Sequence, residues 1–100
     1  MTTYTGTISN EIPVEAFLSN NYPNPFNPTT KIEFAIPKNS YVTLKIYDNL
    51  GREVSTLINE LKSAGKYSID FNGNNLASGV YYYKLTSDNF SDIKKMILVK

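Results

Sequence analysis

Apolar and polar residues alternate along most of this chain, and turn residues interrupt the alternation at intervals of roughly 8 to 12 positions. Ile32, Phe34 and Ile36 point one way and Lys31, Glu33 and Ala35 the other, which describes a half-buried strand ended by Pro37. After the turn Pro37-Lys38-Asn39-Ser40, the run Tyr41 to Tyr47 places Val42, Leu44 and Ile46 inward and Tyr41, Thr43, Lys45 and Tyr47 outward. These two runs are expected to pair as a hairpin. Tyr67, Ile69 and Phe71 alternate again, and Val80 to Thr86 sets Tyr81, Tyr83 and Leu85 against Val80, Tyr82 and Lys84. Asp88-Asn89 then turns the chain into its last run. There Met96 and Leu98 share one face and Ile97 and Val99 the other, so this strand is expected to be central or covered by another segment.

One stretch does not follow the two-residue period. Val54, Leu57, Ile58 and Leu61 recur at helical spacing, and Gly65 stands where a helix end would suit it. Against a helix stand the segment's short length, its Val, Thr and Ile content, and the strand patterns on both sides. The pattern alone leaves both readings open. The turn before it, Asp48-Asn49-Leu50-Gly51, needs a positive φ that Gly51 supplies.

The stretch Asn21-Tyr22-Pro23-Asn24-Pro25-Phe26-Asn27-Pro28 is neither helix nor central strand. Its three prolines remove three backbone donors, and each pushes the residue before it out of the helical region. Asn24 and Asn27 are placed to close local turns on the backbone, and Tyr22 and Phe26 are expected to anchor the loop in an apolar surface. Together the elements predict an all-β fold, an immunoglobulin-like antiparallel β-sandwich of about six to seven strands, without the Cys, Trp, Cys spacing of a true immunoglobulin domain. Residues 1–16, polar and interrupted by Pro13, are expected to be a flexible linker, and residues 17–100 the packed domain.

Composition narrows the chemistry. Ten basic and nine acidic side chains leave a net charge of +1, so nucleic acid is not an expected partner. With no cysteine and no histidine, thiolate zinc sites and the commonest general base are absent, and no serine has a histidine to activate it. Glu33, Asp48, Glu53, Asp70, Asp88 and Asp92 fall on outward positions or turns, where a solvated surface is the ordinary reading and a catalytic carboxylate pair is not expected. Asp70-Phe71-Asn72-Gly73-Asn74 opens like a calcium loop, but its glycine comes at the fourth position and Tyr81 stands where a bidentate Glu is required. No catalytic residue, cofactor or metal is therefore expected. Eight tyrosines, with Tyr41, Tyr47 and Tyr82 directed outward, support an alternative reading as a carbohydrate-binding or adhesive module of a secreted hydrolase.

Four stretches carry a family resemblance: Asn21-Tyr22-Pro23-Asn24-Pro25-Phe26-Asn27-Pro28-Thr29-Thr30 with Lys31 to Phe34, Ile46 to Val54 around Gly51-Arg52, Ala77-Ser78-Gly79-Val80-Tyr81 to Leu85, and Lys95-Met96-Ile97-Leu98-Val99-Lys100. In this order the chain resembles the C-terminal sorting domain (type A) of type IX secretion cargo, from about Leu18 to Lys100. It departs mildly from that family in having Asn20 where Gln is frequent, and in a compact turn after Phe71. The resemblance implies a strand with an irregularity near Ser55-Thr56, and strand is accordingly expected for 54–61. It also implies a shaped loop at Tyr22, Pro23, Pro25, Phe26 and Pro28, a turn at Gly51 and Arg52, a strand opening at Ser78, Gly79 and Tyr81, and a terminal strand with Lys95, Met96, Leu98 and Lys100 that a translocon reads. Implied partners are that translocon, a shuttle protein and a surface sortase cutting ahead of about Phe17, with attachment of the parent protein to anionic lipopolysaccharide. The implied route runs through the periplasm to the outer membrane surface or the medium, and the domain itself is expected to be a monomer.

Overall fold

The computed structural model describes residues 13–100, so most of the expected 1–16 linker lies outside the described residues. Seven strands follow one another: β1 (Phe17–Leu18), β2 (Thr29–Ile36), β3 (Ser40–Asp48), β4 (Glu53–Lys62), β5 (Gly65–Asn72), β6 (Gly79–Ser87) and β7 (Phe90–Leu98). They form a three-stranded sheet in the order β1-β2-β5 and a four-stranded sheet in the order β4-β3-β6-β7, every pair antiparallel. The expected all-β sandwich is found.

The core lies between the sheets and is built from the inward positions of the alternating runs. Ile32, Phe34 and Ile36 from β2 meet Val42, Leu44 and Ile46 from β3, with Tyr81, Tyr83 and Leu85 from β6 and Met96 and Leu98 from β7. Alternation put these residues on the right faces, but the expected β2–β3 hairpin does not form. β2 pairs with β1 and β5, β3 pairs with β4 and β6, and the turn after Pro37 carries the chain from one sheet to the other. Period-two patterning looks the same for strands that are neighbours in a sheet and strands that face each other across a core. Asn39 Oδ1 accepts the Ala64 N–H at 2.8 Å, which ties this crossing to the one between β4 and β5.

The 54–61 segment is strand, as the resemblance implied. Its register against β3 slips twice, leaving Leu57 and then Val54 without a direct partner on either side of Ser55 and Thr56. Each bulge inserts one residue, and two inserted residues in a run of period two mimic helical spacing. Ile58 of this set is buried, while Leu61 is 76% exposed. Ala35, expected outward among polar neighbours, is buried instead. It stands directly across from Phe17 and Lys66, and a methyl between two longer side chains is shielded from water.

The sandwich has two distinct ends. The β2–β3 crossing, the Asp88-Asn89 hairpin and Ala16, where the chain approaches β1, share a cleft at one end. The start of β2, the end of β5, the end of β3, the start of β6 and the end of β7 meet at the other, as the pairs Thr29↔Asn72, Asp48↔Tyr81 and Gly79↔Leu98 require.

Candidate functional site

The four stretches singled out by sequence lie at that second end. The proline loop leaves β1 and returns into β2, and Tyr22 and Lys31 close it by exchanging main-chain hydrogen bonds of 3.0 and 2.9 Å. Extended backbone at this bridge sends neighbouring side chains opposite ways. Asn21 is therefore buried, its Nδ2 donating to Thr30 Oγ1 at 3.0 Å and to the Pro23 carbonyl at 3.2 Å, while Thr30 Oγ1 donates to the same carbonyl at 2.8 Å. Tyr22 points outward, 81% exposed, and is not the second anchor that was expected.

Phe26 is the anchor. Its ring is buried, edge-on to Phe71 with centroids 6.1 Å apart, and its backbone runs parallel to the end of β7. The Phe26 N–H donates to the Ile97 carbonyl and the Val99 N–H donates to the Phe26 carbonyl, each at 2.9 Å. The Asn24 side chain extends this pairing by two bonds, its Oδ1 accepting the Ile97 N–H at 3.0 Å and its Nδ2 donating to the Lys95 carbonyl at 3.5 Å. Asn24 thus acts over a separation of 73 residues in the chain rather than closing the local turn expected of it. Pro23, Asn24, Pro25 and Asn27 are exposed, and the Pro28 carbonyl accepts the Gly73 N–H at 2.7 Å.

β7 is an edge strand of its sheet, not a central one, and the proline loop is what covers its last residues. Met96 and Leu98 are buried beneath the loop, and Lys95 and Lys100 are exposed beside it. Ser78 Oγ accepts the Lys100 N–H at 3.0 Å, and Lys100 Nζ donates to the Asn74 carbonyl at 2.6 Å. Gly79 pairs with Leu98, and the buried Tyr81 donates its hydroxyl to the Ala77 carbonyl at 2.6 Å.

The turn at Gly51 and Arg52 belongs to the same end, at its β3–β4 side. Asp48 Oδ1 accepts the Leu50 and Arg52 N–H groups at 2.9 and 3.0 Å, and Asp48 Oδ2 meets Arg52 Nε at 2.8 Å. The Arg52 backbone N–H, above all, holds the Asp48 carboxyl below its ordinary value. Arg52 is therefore engaged in holding the turn.

Sequence reading missed two residues of the site. Thr30 entered only inside the family stretch, with no role of its own, and Gly73 only as the misplaced glycine of a calcium-like turn. A Cβ on Gly73 would stand 3.0 Å from Leu98 Cδ2 and 3.4 Å from Phe26 Cε2, so its bare backbone is what lets the anchor and the last strand close over it. The glycine itself was the available signal.

Elsewhere several carboxylates sit in surface pairs, Lys31 with Asp70, Lys45 with Glu53 and Lys94 with Asp92 among them. Among the described residues no three potential metal ligands cluster. On the outer face of the four-stranded sheet, Tyr47 and Tyr82 are cross-strand partners and line a shallow concavity of about 390 Å³ with Lys84 and Ile93. Tyr41 stands apart, its hydroxyl 2.7 Å from Asn59 Oδ1.

Comparison with known families finds a match to the secretion system C-terminal sorting domain over residues 20–100. No curated protein matches. Among solved structures the chain is similar to part of PorZ, described as an essential bacterial surface component of the type-IX secretion system of Porphyromonas gingivalis. Identity is 20% and the TM-score 0.53, over 85% of this chain and 11% of that one, a likeness of fold.

Proposed function

The chain belongs to the secretion system C-terminal sorting domain family, and from that membership we infer a non-catalytic address that directs the protein it terminates across the outer membrane by the type IX secretion system. The observation that carries this reading is that the match, residues 20–100, opens on the proline loop and closes on the last strand, which the fold clasps together at one exposed end. Asn24 and Phe26 bond there to Lys95, Ile97 and Val99, while Tyr22 and Pro23 lie on the side of Lys31 and Asp70, and this end is the surface offered to the translocon and its shuttle protein. The edge of β7 at Ile97 and Val99 is already taken by Phe26, so recognition runs through the loop and the outer face rather than through strand addition at those residues.

Residues 17–100 form the sorting unit, and the segment just ahead of Phe17, where Val14 is 91% exposed, is where a surface sortase would cut and join the new carboxyl end to anionic lipopolysaccharide. The parent protein passes through the periplasm and ends at the outer membrane surface or in the medium. Residues 17–100 fused behind a periplasmically targeted fluorescent protein, in a bacterium with an active type IX system, test the proposal. Surface or medium fluorescence is the expected result, and a folded, intact fusion held in the periplasm overturns it.

The groove between Tyr47 and Tyr82 supports a second reading, a carbohydrate-binding module. Retention on insoluble polysaccharide that Tyr82→Ala abolishes without unfolding would favour it; absence of retention removes it.

A further inference from the structure

Two sheets present four edge strands, and three of them are blunted by a visible device. β1 is two residues long. β4 carries two bulges. β7 is covered at Ile97 and Val99 by the proline loop, and its Ile93 N–H is taken by Asp92 Oδ1 at 2.8 Å. β5 has no such device. It runs eight residues without a bulge or proline against β2, and among the described residues nothing lies along its outer side. A regular, uncovered edge is a template for strand pairing.

The main-chain groups that β5 offers follow from the bonds of β2. Lys31 spends its N–H and carbonyl on Tyr22, and the Glu33 carbonyl accepts from Ser19, so the odd-numbered residues of β2 face β1 and the even-numbered ones face β5. Ile32 therefore bonds Ile69, Phe34 bonds Tyr67, and Thr30 bonds Phe71. The N–H and carbonyl groups of Lys66, Ser68 and Asp70 point away from the sheet, and among the described residues nothing bonds them.

We propose that β5 pairs antiparallel with β5 of a second copy of this chain, about a two-fold axis through Ser68. That register sets Lys66 opposite Asp70 of the second copy, twice over, and Ser68 opposite Ser68. Opposite charges directly across an antiparallel pair are stabilising and like charges are not. Charges on an edge ordinarily repel strangers, but this arrangement is complementary to itself, as a two-fold interface requires. Asp70 already meets Lys31 at 3.0 Å on its own sheet, and the second copy's Lys66 extends that row across the join. On the inner face, Tyr67 and Ile69 are half-buried at the edge, and the pairing brings each against the other's counterpart. The product is a continuous six-stranded sheet. This departs from the monomer expected from sequence and does not depend on the sorting role.

Sedimentation equilibrium of the whole chain tests it, at concentrations up to about 1 mM, where an interface of one strand pair is populated. A reversible dimer is expected. Ser68→Lys places two ammonium groups on the axis while facing Glu33 across β2, so it should keep the melting temperature and weaken the dimer by at least about tenfold. Lys66→Asp and Asp70→Lys should each be monomeric alone and associate when mixed, because only the mixed pair restores opposite charges. A wild-type chain that stays monomeric throughout, a Ser68→Lys chain that dimerises as tightly as wild type, or a mixture no more associated than its components overturns the proposal.

Discussion

Gly51 sits at a φ of +84°, and nothing lies within 4 Å of where a Cβ would stand. The cost of a side chain there is therefore backbone strain alone. Gly51→Ala should lose about 1 to 2 kcal/mol in urea unfolding, and Gly51→Asn less, because Asn tolerates this region better. Tyr83 presents a different case: its ring is buried and its hydroxyl donates to the Ser19 carbonyl at 2.6 Å. Burial pushes its phenol up from 10.0 to about 12, against a smaller opposing pull from the Asn21 backbone. Because the folded value is the higher, the neutral phenol's contribution is whole below pH 10 and is lost as pH rises toward 12. That loss is about 2 to 3 kcal/mol by the size of the shift. Stability measured across this window should fall, and Tyr83→Phe should remove that step while costing about 1 kcal/mol at neutral pH.

Among the elements, β7 and the proline loop depend on each other. Met96 and Leu98 are fully buried, and losing such side chains costs roughly 2 to 5 kcal/mol each against a typical domain total of about 5 to 15. Deleting Met96 to Lys100 should therefore unfold the domain, seen as loss of a cooperative melt, and any loss of export would follow from that. Tyr22→Ala separates recognition from folding. Its ring is exposed, so stability should hold within about 0.5 kcal/mol, and export should drop if the loop surface is read. The strands were legible because each carries its own alternation, and Phe26 was legible as an anchor. Pairing was not: the β2–β3 hairpin failed because alternation reports a face and not a neighbour. β4 was obscured by its bulges, which disguise a strand as a helix. The Asn24 bond to Ile97 and the Gly73 contacts lay beyond reach because they join residues far apart in the chain, which no local pattern records.

For the molecule as a whole, the decisive feature is that the chain approaches at one end of the sandwich while the proline loop and Lys100 lie at the other. Strands of nine residues separate those ends by about 30 Å. β1 runs from the approach end toward the loop end, and β7 runs the same way to the C-terminus. If a translocon holds the loop end, as proposed above, a pull on the chain at Ala16 runs along β1 into the loop's own backbone. That covalent path takes the load directly, and the ladder bonds of the two sheets, perpendicular to it, need not open. On the proposed sorting role, the domain would serve as a tow link whose fold is bypassed by the load it carries.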